Sequence, residues 1–238
     1  MINLSTDLKP FDVLTFYSNP SWYDVMGWST QLAIQLQARN YLSSNSDWYP
    51  HHSQIFFAPD KIYRAVPPTL CWDTVDAMIA RGEQVKVFRP AYPFTDADAQ
   101  EMIKLFETPQ NFTKEGIART ETIIGSSYDV ATDIMIGLNG LLGHPDNDNI
   151  DIDNGSRLIC SAGCALAFEI YRQNHPGCYP RFFSKIQEAA FKDALWGSEI
   201  VRDYQAGNQL QIMDTTPADL ANTSTHFGSE LIYIGQNF

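Results

Sequence analysis

Residues 157–169, "RLICSAGCALAFE", place Cys160 where an apolar helical pattern begins, after a loop crowded with Asp, Asn and Gly. A thiol there can pack, because free cysteine behaves as a small buried hydrophobe. It can also attack, because the positive end of a helix dipole stabilises a thiolate. Attack requires a base, and the chain holds five histidines: His51, His52, His144, His175 and His226. His144 belongs to the acidic loop and His175 precedes Pro176 in "NHPG", both solvent-facing positions. His226 has no supporting pattern. His51 and His52 open an alternating stretch, and a strand start aims an imidazole rigidly where it is not simply structural. Alternation sets His52, Gln54 and Phe56 on one face of that strand and Ser53, Ile55 and Phe57 on the other. Beside such a base Cys160 is expected to be the one strongly perturbed thiol.

The other cysteines argue against a metal. Cys71, Cys160, Cys164 and Cys178 form no CxxC and no Cys/His zinc spacing. Cys160 and Cys164 share a helical face, but no metal-spaced pair accompanies them. The acidic loop 144–156 fails as a calcium site. With Gly155 at the sixth loop position, Ile150 and Ser161 fall where carboxylates are required. No metal and no cofactor is expected, and the thiols read as free in a reducing compartment.

The elements that must position these residues follow from the pattern. "FDVLTFY" (11–17) reads as a strand, and residues 52–66 read as two strands turned at Ala58-Pro59-Asp60. A helix is expected over the second half of 22–40, and a short one over 74–82, ended by Gly82. "EQVKVFRP" (83–90) alternates as a strand, and a helix with Thr95 as its N-cap follows over 95–108. Further helices are expected over 113–124, from about 127, from Cys160 and over 181–196. Residues 215–225 read as a turn and short helix, and "ELIYIG" (230–235) as a last strand. Strands near both ends with helices between predict an α+β fold, a small antiparallel sheet with helices packed on it.

Composition narrows the partners. The chain has 238 residues, 44% of them apolar, enough for one large core, and the whole of 1–238 is read as a single domain. Its 16 basic and 28 acidic side chains give a formal net charge of −12, which repels phosphate backbones and anionic lipid. Nucleic acid is therefore not an expected partner. The apolar stretch 130–143 contains Asp133 and Asn139 and is too short to span a bilayer, so stable membrane insertion is not expected. The start "MINLSTDLKPFD" lacks the basic and apolar regions of a signal peptide, which predicts a cytoplasmic protein if that start is native.

The order of short motifs resembles that of the circularly permuted papain-like amidases, the NlpC-type peptidase superfamily that includes lecithin:retinol acyltransferase relatives. The motifs are "KPFDVLTF" (9–16), "HHSQIF" (51–56), "KIYRAV" (61–66), "VKVFRP" (85–90), "SSYDV" (126–130), "LICSAGCALAFE" (158–169) and "TTPADL" (215–220). The resemblance implies a papain-like fold in which the histidine strand precedes the cysteine helix. It implies Cys160 as nucleophile and His52 as base, since Ile55 falls at the family's isoleucine only when counted from His52. Tyr128 matches the tyrosine that lines the family's site. The family's third polar residue falls at Arg64, which is a donor only and cannot accept from an imidazole N–H. Gln54 stands where the family has a small residue, Ala162 where it has an acid or polar residue, and Phe11 where it has Gly.

These matches imply a thiol hydrolase or acyltransferase that cleaves an amide or ester through an acyl-enzyme on Cys160. The substrate class is a cell-wall peptide, or an acylated small molecule or lipid. The hairpin register is expected to aim Arg64 at the far side of His52, where its guanidinium would hold an acidic substrate group. His52 is expected within hydrogen-bond reach of the Cys160 sulfur. The alternatives are an inactive ligand-binding module on the same scaffold and a structural protein of similar architecture.

Overall fold

The computed structural model of the chain describes residues 1–17, 50, 52–114, 117–127, 160–175 and 231–238. Strands β1 (Val13–Phe16), β2 (His52–Ala58), β3 (Lys61–Val66), β4 (Thr69–Asp73), β5 (Val85–Pro90) and β8 (Leu231–Gln236) form one sheet in the order β4-β3-β2-β1-β5-β8. Every neighbouring pair is antiparallel. A separate hairpin joins β6 (Gln110–Lys114) to β7 (Ile117–Glu121). Among the described residues the helices are α1 (Val75–Ala80), α2 (Asp96–Glu107) and α3 (Cys160–Asn174). The fold is α+β.

Sequence dictates most of this locally. Pro59-Asp60 closes the β2–β3 hairpin. Thr74 and Thr95 cap α1 and α2, and Thr95 with Asp98 completes a reciprocal capping box. Gly82, at φ 66°, turns the chain out of α1 into β5. Strand β4 has no counterpart among the expected elements, because "TLCWD" is short and follows two prolines. Residues 113–124 were expected to be helical but carry β7 and the end of β6. Thr113, Ile117, Thr120 and Thr122 are β-branched, and such side chains favour a pleated strand over a helix. The expected helices over 22–40, from 127 and over 181–196, the turn and helix over 215–225, and the acidic loop 144–156 lie outside the described residues.

The pleat gives the sheet two apolar faces. One carries Ile55, Phe57, Tyr63, Ala65 and Leu70 against α2 and α3, with Met102, Phe106, Cys160, Cys164 and Phe168 in the same cluster. The other carries Leu14, Phe16, Phe56, Ile62, Val85 and Val87 against Val75 and Met78 of α1. Among the described residues no helix is long and apolar enough to cross a membrane.

Candidate active site

Helix α3 presents Cys160, Cys164, Ala167, Phe168 and Tyr171 as one buried stripe, the spacing of a helix face laid on a core. Its first residue is Cys160, so the thiol occupies the expected helix start, and α3 packs on β2 and β3. Both cysteines are buried, Cys160 to 1% exposure. The Cys164 thiol donates to the Cys160 carbonyl at 3.3 Å and lies 3.9 Å from the Ser53 hydroxyl. Burial pushes the Cys164 thiol well up and the neighbouring Cys160 adds to the rise, so Cys164 stays protonated. Cys71 is also pushed up, chiefly by burial. The expectation of a single strongly perturbed thiol therefore fails, because burial acts on Cys164 and Cys71.

Under the first turn of α3 lies Tyr63 of β3. It is fully buried, and a Cβ added at Gly163 would strike its hydroxyl and ring, so the glycine is what lets the helix approach. The phenol is pushed well above its usual range by burial, then by the proximity of Cys164 and Cys160. Neither the Tyr63 hydroxyl nor that of the buried Ser161 has a hydrogen-bond partner. Sequence reasoning missed Tyr63. Its one sequence signal is Gly163, a glycine in an apolar helical turn that requires close approach.

The histidine strand presents a different face. Phe16 stands opposite His52 and Leu14 opposite Gln54 across β1 and β2. The His52 ring centroid is 5.2 Å from that of Phe16, and Nε2 of the Gln54 amide lies 3.3 Å from His52 Nε2. That contact is made by the amide nitrogen, a donor, while Gln54 Oε1 is buried without a partner, so Gln54 does not fill the acceptor role that the sequence left open at Arg64. The alternation expected along β2 is present, and it seats His52 and Gln54 with the Phe16 face. Ser53 and Ile55 share the face of Cys164 and Cys160. His51 and Tyr128 lie outside the described residues.

Arg64 does not stand beside the thiol. It alternates with Tyr63 and Ala65, pairs across the sheet with Cys71, and sets its Nε 3.6 Å from the carboxylate of Asp73. Arg81 closes on the same carboxylate and also binds Glu83 at 2.8 Å. The expected anion-holding role of Arg64 fails for this reason: its charge is directed at Asp73, across the sheet from Cys160. His175, expected to face solvent, is half-buried, 2.8 Å from Glu101 and stacked on Tyr171.

The described site is a thiol at a helix start, with the buried hydroxyls of Ser161 in its turn and Tyr63 on β3 beneath it both without partners. His52 and Gln54 sit on the other face of the sheet with Phe16 and Leu14, so the expectation of His52 beside the Cys160 sulfur is not met. Among the described residues no group of three or more His, Cys, Asp or Glu is gathered to hold a metal ion. No protein-family model, curated protein or solved structure matches this chain.

Proposed function

We propose that the chain is a thiol hydrolase or acyltransferase on a circularly permuted papain-like scaffold, with Cys160 as nucleophile. The observation that carries this reading is the position of Cys160 as the first residue of a 15-residue helix, buried among hydroxyl groups that lack partners. A helix start favours the thiolate. The chain order, histidine strand before cysteine helix, and the packing of that helix on β2 and β3 support the permuted scaffold. The resemblance assigns the base to His52. The seat of its ring with Phe16 and Gln54 makes the neighbouring His51 the control that any test requires.

The proposed reaction is attack of the Cys160 sulfur on the carbonyl carbon of an amide or ester. The thiol proton passes to the imidazole that the resemblance assigns as base and then to the departing amine or alcohol, and because His52 is seated on the Phe16 face the test includes His51. Water hydrolyses the thioester, or a second nucleophile accepts the acyl group. The substrate class is a peptide, or an acylated small molecule or lipid. The test is turnover on a panel of amides and esters by wild type, Cys160→Ala, His52→Ala and the His51→Ala/His52→Ala double variant. Turnover abolished by Cys160→Ala and lowered about 10²-fold or more in the double variant supports general-base catalysis at this thiol. Turnover that survives Cys160→Ala contradicts it.

A second reading, a binding module without turnover, is favoured by the 1% exposure of Cys160. Its signature is saturable ligand binding that Cys160→Ala leaves intact, with no turnover on the panel.

A further inference from the structure

Tyr63 has a hydroxyl that is wholly buried and bonded to nothing, the Cys160 thiol included. Leaving such a group unmade is expensive in a folded protein and calls for a structural reason. A phenylalanine would fill the same space without the penalty. The hydroxyl lies against Gly163, one helical turn from Cys160, and both Cys160 and Cys164 act electrostatically on it. Ser161, in the same turn, carries a second buried hydroxyl without a partner. The first N–H groups of any helix also lack intrahelical acceptors. This turn and the strand beneath it therefore hold two buried hydroxyls, of Ser161 and Tyr63, that have no acceptor near a thiol.

We propose that the missing acceptor is the carbonyl oxygen of the substrate, so that Tyr63 is the oxyanion-holding donor of the thiol site. The inference rests on Cys160 being the nucleophile. When the sulfur forms its bond to the carbonyl carbon, the π electron pair moves onto the oxygen. That oxyanion accepts the Tyr63 hydrogen bond. Collapse restores the carbonyl and expels the amine or alkoxide, which leaves with the proton first taken from the thiol. An acceptor seated between sulfur and phenol, at hydrogen-bond distance of ~3 Å from the hydroxyl, accounts for the absence of a direct Tyr63–Cys160 bond.

Two reagents separate this role from any other. Iodoacetamide alkylates a thiolate by displacement at a saturated carbon and forms no oxyanion, whereas p-nitrophenyl acetate acylates through a tetrahedral oxyanion. Rates at Cys160 are measured with both reagents on wild type and Tyr63→Phe, together with melting temperatures. The expected result is acylation slowed on the order of 10²-fold in Tyr63→Phe, alkylation unchanged, and a melting temperature equal to or above that of wild type. Acylation equal in the two proteins, both rates falling together, or a lowered melting temperature would overturn the proposal. In the last two cases Tyr63 acts on the thiol or the fold instead. A wild-type Cys160 inert to both reagents would overturn the nucleophile reading itself, and this inference with it.

Discussion

Phe11 holds its backbone at φ 66°, in the left-handed region that disfavours any residue with a Cβ. It stands where the resemblance has Gly, so the departure noted in sequence coincides with a strained residue. Its ring explains why the strain is tolerated. It stacks on Phe94 at 3.7 Å and meets Phe57 at 5.2 Å and Tyr171 at 5.5 Å, fixing the entry to β1 against α3. The next residue, Asp12, is fully buried and held by Arg89 at 2.7 and 2.8 Å, which ties the same turn to β5. Phe11→Ala should lose roughly 3–5 kcal/mol, the usual range for a buried phenylalanine. Phe11→Gly should lose about 1 kcal/mol less, because it also relieves the backbone. Denaturant titration of the two variants checks this, and a glycine variant less stable than the alanine one would rule out strain. At this scale Cys160 and Phe11 were legible in sequence, one by its helix start and the other by its departure from a motif. Tyr63 was not. Its importance is that a hydroxyl has no partner, and partners are set by tertiary packing.

Among the elements, caps, turns and alternation were legible because their causes lie within a few residues. Thr95, Pro59-Asp60 and Gly82 each act locally. The β6–β7 hairpin and β4 were not, since each is completed by pairing with a neighbouring strand. The face on which a strand residue ends is likewise a property of what packs there, which is why alternation separated His52 and Gln54 from Ser53 but did not show that Cys160 and Cys164 pack on the Ser53 face. The end of α2 offers a test at this scale. Glu107 accepts from Lys61 at 2.6 Å and from Trp72 at 2.8 Å, joining the helix to β3 and β4. The Lys61 hydrogen bond, with help from Trp72, holds its carboxyl below the ordinary 4.5. A depressed acid adds stability that is complete above the unfolded value and is lost as pH falls through the folded one. Glu107 is 43% exposed, so solvent screens the pair. Glu107→Gln should cost about 0.5–1 kcal/mol at pH 7, and the difference from wild type should vanish as the pH is lowered past 4.5 and on through the folded value. Thermal melts across that range measure it. A difference that persists unchanged in acid would mean the carboxylate charge is not what matters.

For the molecule as a whole, the expectation of strands near both ends and helices between was sufficient for the α+β class, because hydrophobic periodicity is a one-dimensional signal. Strand order is not. Residues 231–236 pair with 85–90, and no local feature of either segment announces the other. We propose that this sheet and α3 together build an acyl-transfer site around one thiol. The most direct measurement is to treat the full chain with an activated ester, quench in acid, digest, and locate the acyl group by mass spectrometry. The account predicts the acyl mass on the peptide containing Cys160, formed below about pH 7, where ordinary thiols are mostly protonated, and absent from Cys160→Ala. Acylation at Cys71 or Cys178 in preference to Cys160, or none at Cys160 under conditions that acylate a free thiol, would contradict it.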